Sequence, residues 1–451
     1  MAVFSIIKKS QLEGSKRLDA EYYQPEYLTG IQKIKSSNFD IISNLLSRKA
    51  VTGTTPKRRD CINDGTDIKF VKTDTLREGQ IVFDEADCLP VQESRKNSEL
   101  KSGDIIVTII GATHDIVGRV ARVFPDDPKM NINQNVGLLR PKESSFSSYL
   151  SVFLQTKYGR NQLWQQSKQT EQVNLNCREV ERVLVPIPDS SFIKEVDDLV
   201  VDSYNLVNDS KKIYSQAENL LLEELELKDF SEEQSLCNVV NFSELKEVNR
   251  IDAEYFQLKY DKLLEHLKNV KPLIDVAKRV KHRVKIVPEK QYQYIEISDV
   301  DVGSGEVTSN TISGKELPAN AKIKISGDEL LVSKVRPTRG AIAIISDIWK
   351  KDIVASGAFS VFDSPSPLRE YLQVVLRSTV GKLQMERPTT GTSYPTITDA
   401  DVENIQIPIL PRSMQEKIAE LVRQSHESRK KAKALLEEAK HKVEELIETR
   451  R

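Results

Sequence analysis

"RLDAEYYQPEY", residues 17–27, returns as "RIDAEYFQLKY" at residues 250–260, with seven of the eleven positions identical. A repeat found at one place must hold elsewhere if the chain is duplicated. It does: "KSGDIIVT" (101–108) lies over "ISGDELLV" (325–332), and "GRVARV" (118–123) over "GAIAII" (340–345). The offset is 233 for the opening phrase, 224 for the Gly-Asp stretch and 222 from there on. That last offset also aligns Tyr149-Leu150 with Tyr371-Leu372, Gly159 with Gly381, and "LVPIPD" (184–189) with "QIPILP" (406–411). The shifts fall early in each half, where loops of different length are expected. The chain is therefore expected to hold two like-folded units related by pseudo-twofold symmetry.

Each half follows one order of elements. Asp19 or Asp252 stands as an N-cap ahead of Ala-Glu-Tyr, and Pro25 opposite Leu258 reads as a tolerated helix break. Short alternating runs with Gly and Pro punctuation follow, such as "IKFVKTDTL" (68–76), "DIIVTIIG" (104–111), "YQYIEISDV" (292–300) and "ELLVSKV" (329–335). These predict short strands joined by loops. A helical stretch comes next, then a Pro-bounded strand, then a long helix. Leu199, Leu206, Ile213, Leu220 and Leu227 recur every seven residues, and Val200, Val207, Tyr214 and Leu221 keep the same step one position on. Met414, Ile418, Leu421, Ala432, Leu435, Ala439 and Leu446 form a comparable stripe near the C-terminus. Such seams seek another helix, and the acidic first and basic second predict an antiparallel coiled-coil pair.

Composition bounds the function. The 451 residues carry a net charge of −1, with 39% hydrophobic and 29% charged residues. Near-neutrality does not exclude a nucleic-acid partner, because residues 271–351 concentrate Lys and Arg. The longest apolar runs, such as "IIVTII" (105–110), are far short of a membrane span, and the N-terminus lacks the pattern of a secretory signal. A cytoplasmic protein without a membrane partner is expected. Cys61, Cys88, Cys177 and Cys237 are far apart with no CxxC, and read as reduced thiols rather than a disulfide or zinc framework.

No catalytic constellation emerges. The chain has no GxxxxGK[ST] phosphate loop, no GxGxxG, no HExxH and no Asn-Pro-Pro-aromatic tetrapeptide. His114-Asp115 is the one local acid/base pair, with no nucleophile assigned nearby. No catalytic residue, metal ligand or cofactor of its own is assigned, and a recognition or assembly component is the expectation.

Several phrases, in order and in two copies, resemble the specificity (S) subunits of type I restriction–modification systems. They are "VTGTTPK" (51–57) with "IKFVKTDTLREGQI", "KSGDIIVTIIGATHDIVGRVA", "NINQNVGLL" (131–139), "TEQVNLNCREVERVLVPIP" (170–188) and "GTSYPTITDADVENIQIPILPRSMQEKIAEL" (391–421). The second half lacks a "GTTPK" equivalent and has "VKHRVKIVPEK" (280–290) instead. The resemblance implies an α+β fold with two duplicated β-rich target-recognition domains separated by two long antiparallel coiled-coil helices. The corresponding boundaries are 1–190 for the first recognition domain, 191–233 for a central spacer helix, 234–411 for the second domain and 412–451 for a C-terminal spacer helix. It implies a non-catalytic subunit that reads a bipartite, asymmetric double-stranded DNA target. Its partners would be two copies of a modification methyltransferase subunit, which bring S-adenosylmethionine, and restriction/translocase subunits. The alternative is a coiled-coil scaffold with two protein-binding β-rich domains.

Base readout needs directional donors, and phosphate positioning needs cations or hydroxyls. In the first half the candidates are Lys57, Arg58 and Arg59, then Lys72 and Thr73, then Lys168, Gln169, Thr170 and Gln172. In the second they are Lys281, His282, Arg283 and Lys285, then Lys334, Arg336, Thr338 and Arg339, and the hydroxyl-rich loop Thr389, Thr390, Thr392, Ser393 and Tyr394.

Overall fold

The computed structural model describes residues 4–449 apart from 11, 13–16, 57–67, 78, 84–85, 114–115, 170–172, 229, 231–236, 346–351, 367 and 392–393. His114-Asp115 and candidates Lys57, Arg58, Arg59, Thr170, Gln172, Thr392 and Ser393 lie outside the described residues. The protein mixes helix and sheet and divides into two compact units. The first is Met1–Leu206 with Lys431–Arg451, and the second is Val207–Lys430.

In the first unit, α1 (Pro25–Lys35) opens on Pro25, where a helix leaves an N–H unpaired in any case. Pro25 thus starts a helix instead of breaking one. Strand β1 (Phe39–Ile41) pairs antiparallel with a strand at Leu184–Pro186. A four-stranded antiparallel sheet runs β2 (Val51–Thr52), Val136–Leu139, Ile105–Thr108 and Val120–Arg122. Its central strands, Ile105–Thr108 and Val136–Leu139, are buried at every position. Strand β3 (Ile68–Val71) pairs parallel with Met130–Ile132 and antiparallel with Asp87–Leu89. Helices α2 (Ser147–Gln155) and α3 (Lys157–Gln166) meet at a tight corner on Thr156, whose hydroxyl accepts from the Gly159 N–H at 3.3 Å.

The second unit repeats this order of pairings. Val270–Pro272 pairs with Gln406–Pro408. A four-stranded sheet runs Lys278–Arg279, Phe359–Asp363, Leu330–Ser333, Ile342–Ile344. Gln291–Ile295 pairs parallel with Ile353–Ser356. Helices α4 (Leu368–Arg377) and α5 (Thr379–Glu386) meet at Ser378. Side-chain bonds recur at the offset of 222: Tyr149 Oη donates to Pro186 O at 2.7 Å, and Tyr371 Oη to Pro408 O at 2.6 Å. Gln162 exchanges two bonds with the Leu184 backbone, as Gln384 does with Gln406.

The two long helices are Ser190–Glu224 and Arg412–Thr449. Within the first unit Glu195 pairs with Lys442 at 2.8 Å and Ser203 Oγ donates to Ala432 O at 2.8 Å, so the partner number falls as the first rises and the pairing is antiparallel. In the second unit the hydroxyls of Ser210 and Ser425 meet at 2.9 Å, both buried. The buried seam follows Val196, Val200, Ser203, Val207, Ser210, Tyr214, Ala217 and Leu221, spaced alternately by three and four. It is the second of the two seven-residue registers, while Leu199, Leu206, Ile213 and Leu220 are half-buried. The periodicity reached Leu227, but the helix ends at Glu224. Glu226 is left-handed at φ 58°, and Leu227 N donates to Leu222 O at 2.8 Å, which folds Leu227 back into the core.

The cysteine expectation is corrected in part. Cys88 is disulfide-bonded, because separation along a chain does not measure separation in a fold. Cys177 is a free thiol, and burial pushes it up to about 11, away from thiolate chemistry.

Candidate nucleic-acid interface

In the first unit, Val51–Thr52 leads into "GTTP" beside the end of Met130–Ile132. Gly53 N donates to Asn133 O at 3.1 Å, and a Cβ at Gly53 would lie 1.6 Å from Ile132 O. The backbone approaches so closely that only glycine fits. Lys72, at the end of β3, pairs with Asp87 at 2.8 Å, and Thr73 opens a single 3₁₀ turn, Thr73–Thr75. Lys72 is thus held by a carboxylate of the neighbouring strand. Lys168–Gln169 pairs antiparallel with Val173–Asn174, which in turn pairs with Ile110–Gly111.

In the second unit, Lys281, His282, Arg283 and Lys285 are exposed on an extended segment beside strand Ala321–Ile325. Lys324 N donates to His282 O at 2.9 Å and Val284 N to Lys322 O at 3.0 Å. This adds Lys322 and Lys324, both exposed and two apart on one strand face. Sequence reading missed them, although "AKIKI" carries the alternation that signals a strand with one charged face.

A second cluster gathers at the end of Leu330–Ser333. Lys334 pairs with Asp399 at 2.8 Å, and Arg279 bridges Asp399 and Glu403. Burial alone would raise the Asp399 carboxyl, but the bonds from Lys334 and Ser360 and the charge of Arg279 hold it below its usual value. Arg336 is left-handed at φ 48°, its N–H donates to Pro395 O at 2.7 Å, and its guanidinium lies 4.6 Å from the centre of the Tyr394 ring. Tyr394 is 68% exposed, Arg339 is exposed and Thr338 half-buried. Thr390 and Thr396 exchange backbone bonds of 3.0 and 2.9 Å, closing the base of the hydroxyl-rich loop. The fold therefore brings together Arg336 and the Thr389–Tyr394 loop, which are more than fifty residues apart in sequence.

The repeated phrase acts at the root of these loops. Asp19 stands at the N-cap position of a short 3₁₀ helix (Ala20–Tyr23), but its carboxylate is taken by Arg17 and not by the helix backbone. Arg17 Nη1 and Nη2 donate to Gln166 O and Ser167 O, both at 3.3 Å, just ahead of Lys168. Arg250 does the same: it is clamped by Asp252 and donates to Pro388 O at 2.9 Å and Thr389 O at 3.0 Å. The bonds from these arginines hold the Asp19 and Asp252 carboxyls below the usual range. A contact at one sequence offset thus locks a loop at another. Arg250→Lys keeps the charge and loses the planar fork. The Thr390 and Thr396 amides are then expected to exchange about tenfold faster, with the Gln406 amide unchanged, as read by hydrogen exchange.

Comparison with known proteins bears on the chain as a whole. Residues 48–197 match the type I restriction modification DNA specificity domain. The chain is 22% identical over 368 residues to the putative type I restriction enzyme MjaX specificity subunit of Methanocaldococcus jannaschii, covering 79% of this chain and 80% of that one. It is 25% identical over 165 residues to the type I restriction enzyme EcoBI specificity subunit of Escherichia coli, covering 36% and 33%. Among solved structures, a type I restriction–modification S subunit from M. genitalium matches with a TM-score of 0.38 at 12% identity, covering 91% of this chain and 94% of that one. The chain is thus similar to specificity subunits of type I restriction–modification systems, over residues 48–197 by the domain match and over most of its length by the M. jannaschii relative.

Proposed function

We propose that this chain reads a bipartite, asymmetric double-stranded DNA target, one half-site per unit, for a type I restriction–modification complex. The carrying observation is that two units with the same order of strand pairings carry different cationic segments in their sequences. The first offers the "GTTPKRR" segment, and the second Lys281–Lys285 beside Lys322 and Lys324. A shared frame with divergent loops is what two readers of different sequences need, with phosphate contacts positioning and loop side chains specifying. In this reading the recognition domains are 1–190 and 234–411. The long helices Ser190–Glu224 and Arg412–Thr449, within the spacer segments 191–233 and 412–451, form a coiled-coil spacer that fixes the gap between half-sites. The outer faces of those helices and the repeated "DAEY" segments dock two methyltransferase subunits, with restriction/translocase subunits joining that assembly.

Methylation mapping with the cognate methyltransferase, with and without this chain, tests the proposal. The expected result is a split motif of two defined blocks around a fixed gap, present only with the chain. A continuous or palindromic motif would refute the two-reader arrangement. Exchanging residues 44–190 for those of a relative should change one block and leave the other intact. Loss of both blocks would refute independent reading. Assembly that ignores neutralisation of the cationic loops, with no change in methylation, would favour the scaffold alternative.

A further inference from the structure

In the second unit Tyr255 lies between two guanidiniums. Arg250 is 4.7 Å and Arg387 4.9 Å from its ring centre. Arg387 also lies 5.8 Å from the Tyr260 ring and pairs with Asp261 at 2.9 Å. The matched bonds of the two units put Tyr22 in the place of Tyr255, Tyr27 in that of Tyr260, and Gln165 in that of Arg387. Arg17 lies 5.0 Å from the Tyr22 ring centre, so the first guanidinium of the stack is present. The place of the second is a cavity of about 260 Å³ walled by Tyr22, Tyr27, Trp164, Gln165, Asp19 and Glu21. Gln165 is 3% exposed; its Nε2 donates to Tyr22 O at 2.9 Å, and its Oε1 is buried with no donor against it.

We propose that this cavity receives an arginine side chain from a partner protein. Aromatic faces with an adjoining acceptor suit a planar donor that stacks and hydrogen-bonds at once, which a compact ammonium does less well. Gln165 lines the cavity, and its Oε1, buried without a donor, is an acceptor an entering guanidinium could satisfy; such an acceptor costs free energy until a donor arrives. Arg17 does not bar a second cation: its charge is matched by Asp19 and Glu21 adds another carboxylate, while Arg250 and Arg387 already share Tyr255 in the other unit. The chain's own second half is the template for the occupant. DNA reading plays no part in this inference, so the test needs no DNA.

Trp164 and Trp349 are the chain's two tryptophans, so in a Trp349→Phe background the emission reports on the cavity wall. The full chain is titrated with a blocked Gly-Arg-Gly peptide, a blocked Gly-Lys-Gly peptide and adenosine. A saturable change is expected with the arginyl peptide alone. Gln165→Arg should abolish it by filling the cavity as Arg387 fills its own, with the thermal midpoint at or above that of the parent. Gln165→Leu, compared at a temperature where its own thermal unfolding shows it folded, should raise the half-saturation concentration by about tenfold. No response, an equal response to the lysyl peptide, a response to adenosine instead, or parental behaviour of the leucine variant would each overturn the proposal.

Discussion

Replacing Gly159 or Gly381 with alanine is expected to unfold its own unit, at a cost of about 3 kcal/mol or more in each case. Both glycines are third in the second helix of a tight helical corner. A Cβ at Gly159 would lie 2.3 Å from Phe153 O and 2.6 Å from Leu154 Cα; at Gly381 it would lie 2.3 Å from Leu376 O and 2.4 Å from Leu376 Cα. These are backbone atoms of the preceding helix, so no side-chain rotation relieves the clash. The two helices must separate, and Tyr149, Leu150, Tyr371 and Leu372, all fully buried, would lose their packing. Gly30 is the contrast: it lies inside α1, and its added Cβ would meet the Tyr158 ring at ordinary contact distance, 3.4 Å to Cδ1 and 3.8 Å to Cε1. Gly30→Ala should stabilise by roughly 0.5–1 kcal/mol through helix propensity. Denaturant unfolding monitored by hydrogen exchange would assign each loss to its unit, and a Gly381→Ala chain as stable as the parent would refute the argument.

The second large effect is a pH dependence. His426 lies on Arg412–Thr449 with Nε2 buried and unpaired. Burial first, and then the positive charges of Arg429 on the same helix and Arg377 of α4, push the imidazole from 6.5 down to about 4. The folded ring stays neutral while the unfolded ring takes up a proton below its ordinary value. Stability from this group is therefore complete above pH 6.5, falls as pH drops through the window, and is lost below about 4. Between about pH 7 and 5 the loss should reach about 2 kcal/mol. His426→Gln should flatten the stability profile by that amount, whatever it does to the plateau. Parallel profiles in urea unfolding would show that the ring carries a proton in the folded state.

Much of this arrangement was legible in the sequence because symmetry makes its own control. Gly159 and Gly381, or Tyr149 and Tyr371, are meaningful as pairs where either residue alone is ordinary. The repeat also located the Pro-bounded strands. What stayed hidden were contacts that cross the change of offset. Arg17 touches Gln166, 149 residues away, and nothing local in "RLDAEYY" names that carbonyl. The same locality made Asp19 look like a helix cap, when its carboxylate serves the arginine two positions earlier. Lys322 and Lys324 were passed over because their strand becomes cationic terrain only once Lys281–Lys285 lies beside it. Two equal registers in the long helix could not be ranked either, since the choice depends on which side chains the facing helix admits.

The division of the chain has a consequence for synthesis. The second unit is one continuous segment, Val207–Lys430, whereas the first needs residues 431–451 to complete it. Ala439, Val443 and Ile447 are buried in the same core as Ile34, Tyr149 and Val200. A ribosome therefore delivers the first unit's last packing residues only after the whole second unit has emerged, roughly tens of seconds later at ordinary elongation rates. The half translated first is the half completed last. Its unclosed core is the surface that chaperones would meet on the nascent chain, and late termination errors would damage the N-terminal unit while sparing the one that follows it.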